Sequence, residues 1–325
     1  MAVYTDISDE ALECFLADYA IGPPLAFKGI AEGVENSNYF LATEHGRYIL
    51  TIYERRVAET DLPFFLRLMD HLASKGFACP TPVHARDGAA LRRLANKPAA
   101  IVTFVDGMSL TRPRPDQCHD LGRTLASLHD AGLDFPMKRK NALGPQAWSA
   151  LWAGLRTKAD TLSPGLANEI DAAINAVADW PKDLPTGVIH ADLFPDNVFF
   201  LEGKVTACID FYFACTDLLA YDIAVCLNAW CFETDGSYNL TKGQALIAGY
   251  NGVRPITPDE RAALPLLARG AALRFFLTRL ADWGPVAPGA LVRPKDPMEY
   301  ARKLAFHARS RGAADYGFAP TPANR

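Results

Sequence analysis

The 325-residue chain lacks several features that would each point to a function class. It has no surplus of base. Lys and Arg total 33 against 37 Asp and Glu, for a formal net charge of −4. No basic stripe offsets that balance, so no nucleic-acid partner is expected. No uninterrupted apolar run reaches the ~18 residues of a membrane span, so neither a transmembrane helix nor a membrane partner is expected. The first fifteen residues carry four acids and no basic segment, which is not the pattern of a signal peptide. The seven cysteines are odd in number, scattered from Cys14 to Cys231, and include no C-x-x-C pair. That argues against a disulfide framework or a zinc site and for reduced, mostly buried thiols in the cytoplasm. Internal repeats are missing as well. What remains is ordinary globular material, 50% hydrophobic and 22% charged, long enough for two lobes with a sizeable core.

Chemistry concentrates in residues 187–211, GVIHADLFPDNVFFLEGKVTACIDF. The stretch reads as a short apolar strand at Val188 and Ile189, a polar loop, a hairpin turning at Glu202-Gly203-Lys204, and an acid at the exit. The pattern H-x-D-x-x-x-x-N followed by D-F has the spacing of a phosphoryl-transfer site of the protein-kinase type. A hydroxyl attacking the γ-phosphoryl of ATP needs an acceptor for its proton and a group that aims it, and Asp192 fits both tasks. Mg2+ prefers oxygen ligands in octahedral array and shares them with phosphates. The carboxamide oxygen of Asn197 and the carboxylate of Asp210 would be the protein's part. His190 joins Asp192 in the catalytic set as a brace of the loop backbone. H-x-D alone is a common triplet, and a polar turn between two hairpins is the bland alternative. The gap to Asn, the hairpin and the I-D-F exit together make the signal compound.

Two parts of the protein-kinase pattern are missing. Ala191 stands where those enzymes carry an arginine that reads a phosphorylated activation loop, and Tyr212 rather than glycine follows Asp210-Phe211. Eleven residues separate Asp210 from Asp222, where a new helix is already under way. That leaves no room for an activation loop or a peptide platform, so the expected acceptor is a small molecule.

Along the chain, a helix is expected over 8–19, with Ser8 as its cap. Strands are expected over 25–30, 39–43 and 48–53, rich in β-branched and aromatic residues. A helix over 61–75 follows, then strands over 90–94 and 99–104 separated by Asn96-Lys97-Pro98. Gly29 and Gly33 would let the backbone between the first two strands approach phosphates, with Asn36 and Ser37 offering polar groups. Gly-rich hairpin turns of that kind are also common without any ligand. Phe104 and Val105 would lead into a hinge whose backbone meets an adenine edge. The remainder reads as helical: 116–130, 147–161, 166–180, 217–230, one or two helices within 241–283, and 297–310. The tail from Gly312 is expected to be loose.

With these residues in view, the chain resembles the choline kinase and aminoglycoside phosphotransferase group. Within that group it is most similar to the homoserine-kinase branch of threonine biosynthesis. The stretches that carry the resemblance are YILTIYE from Tyr48, the helix holding Leu121-Gly122, Leu125-Ala126 and Leu128-His129, and HADLFPDNVFF from His190. IDFYFAC from Ile209, LAYDIAVCLNAWCF from Leu219 and LRFFLTRL from Leu273 extend it over nearly the whole chain. The resemblance implies an α+β, bilobal, protein-kinase-like fold. A small antiparallel-sheet lobe would span residues 1–105, and a larger, mainly helical lobe residues 106–325. It also implies ATP covered by the loop 29–39, Asp192 as base, Mg2+ on Asn197 and Asp210, and L-homoserine as acceptor.

One departure from the group stands out. Thr51 occupies the strand position where the group carries a lysine or arginine for the α- and β-phosphates. Lys28, Arg55, Arg56 or the metal would have to supply that charge, and the absence prompts a pseudokinase as an alternative reading. Homoserine brings an ammonium, a carboxylate and a hydroxyl. Tyr212, Asp217 and Asp222 lie just past Asp210, and Arg274 and Arg279 carry guanidinium groups that pair bidentately with carboxylates. Asp222 either meets substrate or braces the catalytic loop, and the arginines either meet substrate or form structural ion pairs. Other hydroxylated amines stay open: choline or ethanolamine (Tyr221 and Trp230 suggest an aromatic cage), hydroxylysine, or an aminoglycoside. The sequence assigns no oligomeric state.

Overall fold

The computed structural model describes residues 5–30, 36–54, 57–284 and 294–319, and it divides into two compact units. The described residues of the first unit come from Met1–Asp106 and Ala207–Tyr212. Those of the second come from Gly107–Thr206, Phe213–Gly284 and Pro294–Arg325.

The first unit opens with α1 (Asp9–Leu16), whose N-terminus is capped by the Ser8 side chain accepting from the Ala11 N–H. Strands β1 (Pro24–Gly29), β2 (Asn36–Thr43) and β3 (Gly46–Tyr53) precede α2 (Leu62–Ser74), and β4 (Arg92–Leu94) and β5 (Lys97–Thr103) follow it. They build one antiparallel sheet in the order β1-β2-β3-β5-β4. Leu12, Phe15 and Leu16 of α1 pack with Tyr39, Leu41, Leu50, Ile52 and Ile101 of the sheet into one core cluster. Two boundaries differ from the sequence expectation. The β4–β5 connection is only Ala95-Asn96, with φ of 49° and 61°, and Leu94 pairs with Lys97. Positive φ at both central residues makes a two-residue hairpin turn, which draws Lys97 and Pro98 into the strand. Strand β2 starts at Asn36, because Asn36 to Asn38 pair with Tyr53 to Thr51 of β3.

The second unit contains α3 (Pro115–Ala131), α4 (Pro145–Leu162), α5 (Leu166–Ala176) and β6 (Thr186–Ile189). The hairpin strands β7 (Val198–Leu201) and β8 (Lys204–Cys208) follow, the latter ending in the first unit's residues. Then come β9 (Cys215–Leu218), α6 (Leu219–Trp230), α7 (Leu240–Asn251), α8 (Pro258–Asp282) and α9 (Met298–Arg309). Asp217 and Leu218, expected to start a helix, end strand β9 instead, because 215–218 pair antiparallel with β6, Asp217 opposite Gly187. Helix α6 is apolar on almost all sides and buried along nearly its whole length, as suits a central helix. Helices α3 and α7 cross at very close range. A Cβ at Gly122 would fall 2.1 Å from the Leu246 carbonyl oxygen, and one at Gly249 would fall 2.0 Å from that of His119.

The tail is not loose throughout. Ala313–Tyr316 form a 3-10 turn that buries Tyr316 completely. Its hydroxyl lies 2.8 Å from His307 Nδ1, and its ring stacks on the imidazole with centroids 5.7 Å apart. His307 Nε2 lies 2.9 Å from Asn228 Oδ1, and the Asn228 amide donates to the Ala224 and Ala268 carbonyls. That network makes Nε2 the donor and Nδ1 the acceptor of a neutral ring. Burial first, then the charges of Arg269 and Lys303, hold the His307 pKa down at about 3.

The sign follows from linkage. The unfolded chain takes up a proton near the ordinary histidine value, while the folded chain resists until about pH 3. Stability is therefore full above the unfolded pKa and falls by up to ~1.4 kcal/mol per pH unit below it. Urea denaturation between pH 7 and 4 should show this slope, and His307→Gln should reduce it.

Candidate active site

The loop after β6 runs from His190 to Asn197 and ends in a 3-10 turn, Pro195–Asn197. The Asn197 side-chain N–H donates to the Asp192 carbonyl at 2.8 Å and to its carboxylate at 3.3 Å. The amide nitrogen is thereby committed, and the remaining polar atom of Asn197 is a hard oxygen of the type magnesium takes. The Asp192 N–H reaches His190 Nδ1 at 3.3 Å, so the fully buried His190 braces the turn. Burial pushes the Asp192 carboxyl above the ordinary range, against the pull of Arg274, His190 and Lys295. A carboxylate held that way is a better proton acceptor than one in water.

Between His190 and Asp192, Ala191 sits at φ 63°. The left-handed region costs a residue with a Cβ about 1–2 kcal/mol and persists only where neighbours enforce it. Those neighbours are Asp222 on α6 and Arg274 on α8. One Asp222 oxygen accepts from the His190 N–H at 2.8 Å and the other from the Ala191 N–H at 2.9 Å, while an Arg274 N–H donates to the Ala191 carbonyl. Asp222 is wholly buried. Burial alone would raise its pKa, but the hydrogen bond and charge of His129, the charge of His190 and the His190 N–H outweigh it and hold the pKa below the ordinary value. Of the two roles the sequence left open for Asp222, its surroundings supply the brace. Asp217 is likewise engaged, accepting from Asn141 at 2.8 Å and from the Leu218 N–H at 2.7 Å.

Behind Asp222 lies a polar chain to which the sequence reading gave no role. His129 Nε2 stands 3.2 Å from the carboxylate, and its Nδ1 stands 2.7 Å from the Tyr250 hydroxyl. Arg254 donates to that hydroxyl at 3.1 Å and pairs with Glu260 at 2.9 Å. The close α3–α7 crossing at Gly122 and Gly249 is what brings His129 and Tyr250 together. The available sequence signal was a histidine on the apolar face of a helix, and that signal does not say what it meets.

In the first unit, Asp210 is exposed and also left-handed, with φ 64°, and the following Phe211 is buried. The Tyr212 hydroxyl lies 3.0 Å from that of Tyr53, and its ring packs edge-on against Tyr53 and Phe65. Burial pushes the Tyr212 pKa up to about 12. Thr51 is buried and donates to Asn38 Oδ1 at 2.8 Å, so a neutral hydrogen bond occupies the position where the group has a cation. Asn36 and Ser37 lie in β2, both buried, and Ser37 donates to Glu54 at 2.6 Å. Gly29 ends β1 opposite Tyr39. The Phe104 N–H bonds the Arg47 carbonyl at 3.0 Å, and Val105 is half-buried beyond it. Lys28 is exposed on β1. Gly33, Arg55 and Arg56 lie outside the described residues. Among the described residues no three His, Cys, Asp or Glu side chains form a metal cluster.

A model of the phosphotransferase enzyme family matches residues 26–256. The chain is 61% identical over 321 residues to the homoserine kinase of Methylobacterium nodulans, covering 98% of this chain and 100% of that protein. Among solved structures it is similar to an amicoumacin kinase in complex with AMP-PNP and Ca2+. The TM-score there is 0.67 at 14% identity, over 93% of this chain and 92% of that one. A spectinomycin phosphotransferase in complex with ADP and spectinomycin gives 0.68 at 14% identity, over 97% and 99%. The α+β kinase-like fold expected from the sequence is the one these structures share with it.

Asp222→Asn tests the brace. An amide turns one N–H2 toward backbone donors that a carboxylate satisfied, so unfolding stability should fall by about 2–4 kcal/mol. Turnover should fall at least tenfold with the KM for nucleotide little changed; differential scanning fluorimetry and steady-state kinetics read both.

Proposed function

The chain belongs to the phosphotransferase enzyme family, and from that premise we propose that it transfers the γ-phosphoryl group of ATP to the side-chain hydroxyl of L-homoserine. The products are O-phospho-L-homoserine and ADP. The observation that carries the reading is the pairing of Asp192 with Asn197 on a loop fixed at both sides of Ala191. Asp192 aims the acceptor hydroxyl and takes its proton at a carboxylate oxygen as the O–P bond forms. Asn197 holds the Asp192 carboxylate; its amide oxygen and the Asp210 carboxylate would be the protein's ligands for Mg2+, which when bound would neutralise charge on the phosphates. His190 keeps the loop turned. A pre-set loop reduces the reorganisation left for the reaction itself. The six buried cysteines and one exposed one, all free, suit a reducing cytoplasm, where we place the reaction.

The residues that suggested a choline cage do not form one. Trp230 is 1% exposed and its indole N–H bonds the Leu193 carbonyl at 2.8 Å, while Tyr221 is fully buried. Both are core.

A coupled ADP-release assay over homoserine, choline, ethanolamine, hydroxylysine and an aminoglycoside tests the assignment, with homoserine the expected acceptor. Activity on choline with none on homoserine would refute it. Asp192→Asn should cut kcat by about 1,000-fold and leave ATP binding, measured by calorimetry, within a few-fold of the parent.

A further inference from the structure

Arg274 is 2% exposed, yet among the described residues no carboxylate lies within ion-pair distance of it. It donates one N–H to the Ala191 carbonyl and meets the faces of Phe213 and Phe275, whose centroids lie 5.5 and 4.4 Å from the guanidinium carbon, with the buried Tyr221 hydroxyl beside it. Its Nε–H has no hydrogen-bond partner among the described residues. Buried charges are otherwise paired, since an isolated one is expensive. The nearby acids have other partners, and Asp192, whose carboxyl feels the Arg274 charge, accepts from the Asn197 amide. Glu299 takes both Arg279 and Lys303 at 2.6 Å, Asp196 takes Lys295 at 3.1 Å, Asp217 takes Asn141, and Asp222 takes the loop N–H groups and His129. The hydroxyl of Tyr300, a residue of α9, is also buried and without a partner among the described residues. Its ring packs 5.3 Å from that of Phe275; burial raises its pKa, and the charges of Arg279, Glu299, Asp192 and Arg274 lie near enough to act on it.

We propose that Arg274, with the Tyr300 hydroxyl as a second donor, is the subsite for the carboxylate of the amino-acid acceptor. The unfilled donors lie on the helices α8 and α9, and the Arg274 guanidinium touches the backbone of Ala191, next to the aspartate that takes the acceptor's hydroxyl. One end of the substrate is then fixed by charge and the other by the base, which makes the carboxylate the feature that separates homoserine from a plain amino alcohol. This rests on the homoserine reading above.

The test compares kcat/KM for L-homoserine and for 3-aminopropan-1-ol, which keeps the ammonium and hydroxyl at the same spacing and lacks the carboxylate. The parent enzyme should prefer homoserine by about 100-fold, the worth of a charged hydrogen-bonded contact. In Arg274→Met the ratio should collapse toward one, whatever loss both acceptors share through the Ala191 contact, and Arg274→Lys should restore part of it. Tyr300→Phe removes a hydroxyl that no described residue engages, so it should fold with an unchanged or higher Tm. Its ratio should fall roughly three- to tenfold. Ratios unchanged in both Arg274→Met and Tyr300→Phe would overturn the subsite and leave homoserine phosphorylation standing. Should Arg274→Met fail to fold, an unchanged ratio in Tyr300→Phe overturns it alone. A parent enzyme that prefers 3-aminopropan-1-ol would overturn the homoserine reading itself, and the subsite with it.

Discussion

The candidate site depends on one buried carboxylate accepting two consecutive backbone N–H groups. Asp222 is charged in a place where solvation costs several kcal/mol, and it stays charged because the His190 and Ala191 amides and His129 all point donors at it. In return it holds Ala191 in a left-handed turn that an alanine does not choose for itself. That turn reverses the chain between the buried His190 and Asp192. The direct Asn197–Asp192 hydrogen bonds hold the two residues to each other, and the turn at Ala191 ties that pair to α6 and α8.

The anchor is in turn supported by packing. His129, which meets Asp222 on one side, meets Tyr250 on the other because α3 lies against α7 at a distance that side chains at Gly122 and Gly249 would forbid. The same crossing sets Tyr250 behind His129 and Arg254 behind Tyr250, and Arg254 ends on Glu260 in the capping box of α8. The chain runs from the Arg254 guanidinium through the Tyr250 phenol and the His129 imidazole to the Asp222 carboxylate. Two glycines chosen for helix packing thus contribute to the electrostatics of a loop far away in sequence.

Much of this was legible in the sequence where local rules decide it. The H-x-D-x-x-x-x-N spacing places Asp192 and Asn197 on one short loop whatever surrounds it, and alternation and β-branching mark the sheet of the first unit. The missed parts were settled by partners remote in sequence. Asp217 and Leu218 run straight into the sequence of α6, and their pairing with β6 makes them part of a strand. Lys97 and Pro98 joined β5 because Ala95 and Asn96, neither a glycine, accept positive φ. The tail composition from Gly312 reads as loose, yet one aromatic, Tyr316, finds a buried imidazole. The contacts of Asp222 with His129, and of Arg274 with Ala191, join residues more than eighty positions apart. No periodicity reports such pairs.

The first unit replaces a cation with neutral groups at Thr51, where the hydroxyl bonds Asn38 and neighbours the Tyr53–Tyr212 pair ahead of Asp210. The central claim remains that the fixed Asp192–Asn197 loop directs a phosphoryl group onto homoserine and not onto water. Phosphorus-31 NMR of the protein with ATP, Mg2+ and L-homoserine tests that directly. A phosphomonoester resonance growing in step with ADP is the predicted result. ADP accompanied only by inorganic phosphate, or no ADP at all, would contradict it.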